Sequence, residues 1–144
     1  VALPDPVPGL VIGYSYLWRN EARRGLEEGR KDRTCVIVLS VQSRDGQTVV
    51  TVAPITHTPP DSPDLAIEIP AETKQRLGLD RDRSWIFAAD LNRFVWPGVD
   101  LRPTRRGGHG YAYGLLPATL HAQVRDRVIA LARVGHIALT PRLP

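Results

Sequence analysis

The chain carries one cysteine, Cys35, and no methionine among its 144 residues. A lone thiol cannot close an internal disulfide, so a disulfide scaffold is excluded and a reducing compartment suits the chain. Paired cysteines and a His-x3-His spacing are both lacking, so neither a metal site nor a cofactor is expected. No run approaches the about 20 apolar residues of a membrane span. The opening Val1-Ala2-Leu3-Pro4-Asp5-Pro6 has neither the basic nor the apolar region of a signal peptide. A cytoplasmic protein without a membrane partner is therefore expected. Internal repeats are absent, and no helix-turn-helix pattern argues for duplex DNA.

What is present is arginine. Lysine and arginine number 19 against 15 acids, giving a net charge of +4 and a pI near 9.7. Basicity without a long basic tail points to a folded surface that meets a polyanion, whether nucleic acid or an acidic protein segment. The charge concentrates twice, at Arg19, Arg23, Arg24, Arg30, Lys31 and Arg33, and again at Arg102, Arg105 and Arg106. Either cluster can equally be read as a solvated loop.

At this length the chain fits one domain spanning 1–144, with an extended lead-in over 1–8 and a tail over 135–144. The aromatic run from Leu10 to Trp18 reads as a first strand. Residues 19–32, with Gly25 and Gly29 and no apolar stripe, read as a long connection with a helical turn around Glu21 to Arg24. Residues 34–42 read as a strand buried on both faces, and Arg44-Asp45-Gly46-Gln47 as a hairpin turn returning an antiparallel strand from Thr48 to Ala53. Proline without an amide donor keeps Thr58-Pro59-Pro60-Asp61-Ser62-Pro63 out of any ladder. Leu65, Ile67 and Ile69 alternate as a half-buried strand, and Pro70 to Leu77 is a short helix stopped by Gly78. Ser84–Ala88 and Leu91–Trp96 are further strands. Leu120, Val124, Val128 and Leu131, spaced 4, 4 and 3, mark a helix over Pro117 to Arg133. The fold class expected is mainly β with α (α+β), a small, strongly bent sheet or open barrel with a helix packed on it.

Two residues bring chemistry to this frame. Arg33 opens one strand of the hairpin, and Thr56 follows the other in Pro54-Ile55-Thr56-His57. A guanidinium presents a planar fork of donors matched to phosphate oxygens, and a hydroxyl adds one more. The plainer readings are a surface charge framing a strand and a strand-end hydroxyl capping a turn. Histidine is the side chain suited to acid or base work near neutral pH, and His57, adjoining Thr56, is the best placed; it also reads as an exposed loop residue. His109 lies in a glycine-rich loop, and His121 and His136, on or after the last helix, read as structural. Trp85 reads as core. Trp18, beside Arg19, could stack on a base or pack at a dimer face. Cys35, inside an apolar strand, reads as a buried inert thiol.

Arg33 before a buried strand, Pro54-Ile55-Thr56, Ser84-Trp85-Ile86-Phe87, Asp90-Leu91-Asn92-Arg93 and the Gly114-Leu115-Leu116 run into the closing helix together resemble the MazF/PemK toxin family. The resemblance spans residues 9 to 134. The family's usual Gly-x-Arg-Pro is here Lys31-Asp32-Arg33-Thr34, which keeps the arginine and replaces the proline. It implies an SH3-like open barrel with a C-terminal helix, a symmetric homodimer, and a metal-independent endoribonuclease, the toxin of a type II toxin-antitoxin system. Single-stranded RNA would be cut by its own 2'-OH, leaving a 2',3'-cyclic phosphate and a 5'-OH, and an acidic antitoxin protein would neutralise the enzyme. The catalytic residues implied are Arg33 and Thr56, with His57 as the added acid or base. Arg19, Arg23, Arg24, Arg30, Lys31 and Thr58 are the expected substrate-binding set. The rival reading is a noncatalytic SH3-like module that binds nucleic acid or protein.

Overall fold

The computed structural model describes residues 3–23, 32–104 and 110–142. Among them the protein is mainly β-sheet with three helices, an α+β arrangement. The sheet runs in the order β4(Ala66–Glu68), β5(Trp85–Phe87), β3(Thr48–Thr56), β2(Arg33–Gln42), β1(Leu10–Tyr14), β7(Leu101–Arg102). Three more strands branch from this path: β6(Asp90–Val95) on β3, β8(Ala112–Leu115) on β1, and β9(Ala138–Pro141) on β6. All pairs are antiparallel except β6 with β9.

The hairpin forms as its turn chemistry requires. Gly46 takes φ +84 and its N–H donates to the Ser43 carbonyl, which lets β2 return directly as β3. Side chains alternate across β1, β2 and β3, so neighbouring residues enter opposite cores. Val11, Val36, Ala53 and Ile55 join one cluster, under Leu77 of α2(Ala71–Leu77) and Leu120 and Val124 of α3(Ala118–Arg133). Ile12, Tyr14, Cys35, Ile37 and Val52 join the other, where Tyr14 stacks on Phe94 with ring centroids 4.6 Å apart. Cys35 is buried, and desolvation pushes its thiol far above its ordinary range.

Several boundaries differ from the sequence reading. β1 ends at Tyr14 because Ser15 turns its amide to the Asp100 carbonyl at 2.8 Å instead of continuing a strand to Trp18. β2 is buried on both faces only from Cys35 to Val38. Past a register shift between Ile37 and Leu39, the strand runs into solvent, with Leu39 53% and Val41 50% exposed. The segment read as a tail contains β9. It is fastened by Arg142, whose guanidinium meets Asp100 at 2.9 Å, Ser15 O at 2.7 Å and Asn92 Oδ1 at 2.9 Å, and lies 5.4 Å from the Tyr14 ring centroid.

Candidate functional site

Arg33 begins β2 and Thr56 ends β3, each two residues beyond the last paired positions Cys35 and Pro54, so the hairpin brings both to the wall of one hollow; Tyr14 pairs with Arg33 on its other side. The guanidinium carbon of Arg33 lies 5.3 Å from the Trp18 ring centroid, a cation–π contact that braces the side chain from one side. The adjacent carboxylate, Asp32, is engaged by Arg102 at 3.4 Å. Among the described residues no ion pair neutralises Arg33.

Two hollows share Arg33 as a common wall. The larger, about 670 Å³, runs from Trp18 and Arg19 past Thr56 and Thr58 to Pro59, Phe87 and Asp90. The smaller, about 370 Å³, holds His57, Lys74, Asp80, Arg102 and Tyr113. Consecutive residues on a strand point to opposite sides, which is why Thr56 faces the first hollow and His57 the second. A chain laid across Arg33 therefore meets a hydroxyl on one flank and an imidazole on the other.

Thr56 is buried, and its oxygen accepts the Thr58 N–H at 3.1 Å, so the turn-capping reading holds. A hydroxyl that accepts one bond still has its own proton to donate, so capping and ligand binding are compatible. His57 is exposed, with Nε2 2.7 Å from Asp80 Oδ2. The other oxygen of Asp80 accepts from Lys74 Nζ at 2.6 Å. Lys74 is buried, and its ammonium also donates to Ser84 Oγ at 2.6 Å and to the Asp82 carbonyl. Three acceptors around one ammonium offset the cost of taking it out of water. At Asp80, burial alone would raise the carboxyl pKa, but the bonds from Lys74 and His57 outweigh it and leave it below the ordinary carboxylate value.

The remaining expected residues divide. Arg19 lines the larger hollow, although its Nη1 is spent on the Leu139 carbonyl at 3.0 Å. Thr58 lines the same hollow. Arg23 ends α1(Arg19–Arg23). Arg24, Arg30, Lys31, Arg105, Arg106 and His109 lie outside the described residues. His121 packs its ring 3.6 Å from where a Gly9 side chain would begin, a structural setting.

Two acids at the site carried no role in the sequence reading. Asp80 is 23 residues from His57, and the Asp80-x-Asp82-x-Ser84 spacing after a helical lysine was its one sequence signal. Asp90 borders the larger hollow and is buried, which raises its pKa against the opposing bonds from Tyr16 Oη at 2.6 Å and the Arg19 N–H at 3.1 Å. His57, Asp80 and Asp82 also bring ligand atoms within 4.8 Å of one another. Both Asp80 oxygens already have partners, however, and Lys74 supplies a fixed positive charge where a cation would sit.

The α+β fold thus carries a strand-end arginine, without an ion-pair partner among the described residues, between two concave polar surfaces. The same hollows also carry acids, Glu21, Asp61 and Asp90 in the larger and Asp32 and Asp80 in the smaller. No family model, curated protein or solved structure matches the chain.

Proposed function

We propose that this protein is a metal-independent endoribonuclease of the MazF/PemK type, the toxin of a type II toxin-antitoxin pair, with its bent sheet forming an SH3-like barrel. The observation that carries the reading is Arg33 in the wall of one hollow with Thr56 and of the other with His57, without an ion-pair partner among the described residues. The scissile phosphate of a single-stranded RNA rests on Arg33, and the nucleotides on either side enter the two hollows. The 2'-oxygen attacks phosphorus and forms the cyclic phosphate, while the bond to the 5'-oxygen breaks. The 2'-OH proton passes to His57, and the leaving oxygen takes a proton from solvent. Negative charge grows on the nonbridging oxygens during attack, so a fixed guanidinium and the Thr56 hydroxyl stabilise the transition state more than the ground state. Arginine itself stays protonated and is no base.

A homodimer and an acidic antitoxin segment belong to the same proposal. The exposed Leu39 and Val41 and the positive charge balance support them. A cytoplasmic location follows from the role.

The test is to incubate the protein with a long RNA in EDTA and map the ends. Fragments with 5'-OH and cyclic phosphate ends are expected. Arg33→Ala should slow cutting by about 10²–10³-fold, the usual effect of removing one transition-state donor. RNA that is bound but left whole would favour the noncatalytic module. A 5'-phosphate on the downstream fragment, or cutting at a 2'-deoxy position, would refute the 2'-OH mechanism.

A further inference from the structure

We propose that Asp80 is a positioning residue that fixes the tautomer and direction of His57, with the buried Lys74 clamping Asp80 in turn; this rests on the ribonuclease reading above. The contact uses Nε2 of the imidazole, 2.7 Å from Asp80 Oδ2. An ionised carboxylate only accepts, so the neutral ring must hold its proton on Nε2 and leave the Nδ1 lone pair open. Nδ1 is then the atom that takes the 2'-OH proton. A histidine that is 57% exposed on a strand end would otherwise sample both tautomers and several rotamers, and only a fraction would be competent.

Asp80 is itself held. Its side chain is 50% exposed, whereas the Lys74 side chain gripping the opposite oxygen is 5% exposed and tied to Ser84 and the Asp82 carbonyl. The order of fixation therefore runs from the buried edge of α2 outward to the exposed imidazole. The sequence of contacts Ser84, Lys74, Asp80, His57 is a support for a base, distinct from the phosphate-facing Arg33 and Thr56. The other ionisable groups lining this hollow are Asp32, just ahead of β2, Arg33 of β2, Arg102 of β7 and Tyr113 of β8, with Asp82 beside Asp80. Asp32 and Arg102 are paired with each other, which leaves Asp80 as the carboxylate in direct contact with the ring.

The experiment compares initial rates of RNA cleavage from about pH 5 to pH 9 for wild type, Asp80→Asn, His57→Ala and the double variant. Asparagine keeps an oxygen for Lys74 but can offer an amide donor to Nε2, which favours the wrong tautomer. Asp80→Asn should lower kcat at neutral pH by at least about tenfold, within the 10²–10⁴-fold that a positioned acid or base contributes, with KM little changed. In the His57→Ala background the same substitution should have no further effect. Nitrogen NMR of the neutral imidazole should report Nε2–H in wild type and a shift toward Nδ1–H in Asp80→Asn.

Cleavage that depends on Arg33 but is unaltered in rate by Asp80→Asn overturns this inference alone. So does an additive loss in the double variant, or an unchanged tautomer. Wild-type protein that leaves RNA whole overturns the ribonuclease reading and the inference with it.

Discussion

Replacing Arg142 by methionine tests how much of the fold hangs on one buried cation. The arginine side chain is 3% exposed, and it ties β9 to Asp100, Ser15 and Asn92 while covering the Tyr14 ring. Methionine keeps the aliphatic volume and removes every donor. The Asp100 carboxylate, 9% exposed, then stays in the protein interior without its guanidinium. Stripping one partner from a buried pair costs about 3–5 kcal/mol, because the charge that remains in the interior loses a close counter-ion. For a chain of this size that loss corresponds to a Tm lowered by roughly 10–20 °C. Calorimetry and urea unfolding at neutral pH are the measurements. Combining Arg142→Met with Asp100→Leu should recover a large part of the loss, since an apolar pair in place of a buried ion pair is close to neutral. An Arg142→Met protein within about 1 kcal/mol of wild type would refute the claim that this ion pair fastens the C-terminal strand.

Gly13→Ala would put a methyl 2.5 Å from the Arg102 carbonyl oxygen and 3.2 Å from that of Pro103, so β1 and β7 must part. A loss of about 1–3 kcal/mol in urea unfolding is expected, and none would contradict the close approach. Leu120→Ala should cost about 2–5 kcal/mol by removing a buried leucine that ties α3 to the sheet. Asp90 has a folded pKa raised by burial, so its contribution is full below the unfolded value of about 3.9 and declines as pH rises through the folded pKa. Asp90→Asn should therefore gain on wild type as pH rises, and a gap moving the other way would refute the assignment. Asp80 behaves oppositely: its folded pKa is lowered, so wild type loses its contribution as pH falls below about 4, and Asp80→Asn should not show that decline.

Local chemistry made much of the framework legible. Gly78 takes φ +73 and ends α2 where the Pro70–Gly78 pair implied, and the 4, 4, 3 spacing of α3 matches its buried Leu120, Val124 and Leu131. That Arg33 and Thr56 lie at the same end of the hairpin was readable from the tight Asp45-Gly46 turn, but the one-residue register shift between Ile37 and Leu39 was not. Other contacts depend on distant partners. β9 is four residues long and pairs in parallel with β6, for which no turn residue gives a signal. Arg142 reaches Ser15 across 127 positions, and nothing near it in the chain announces the acid it binds. The role of Asp80 is hidden for the same reason, because its partner His57 lies 23 residues away at a strand end.

The division of Thr56 and His57 between two hollows is a property of register more than of distance. An insertion of one residue ahead of Thr56 would turn the hydroxyl toward Lys74 and Asp80 and turn the imidazole toward Trp18, while leaving the composition of the segment almost untouched. The register shift between Ile37 and Leu39 lies between the Ser43–Gln47 turn and both hollows, so the pairing carried from the turn is offset by one residue before it reaches Arg33. That one extra residue in β2, rather than turn length alone, fixes the parity of the hairpin at Arg33.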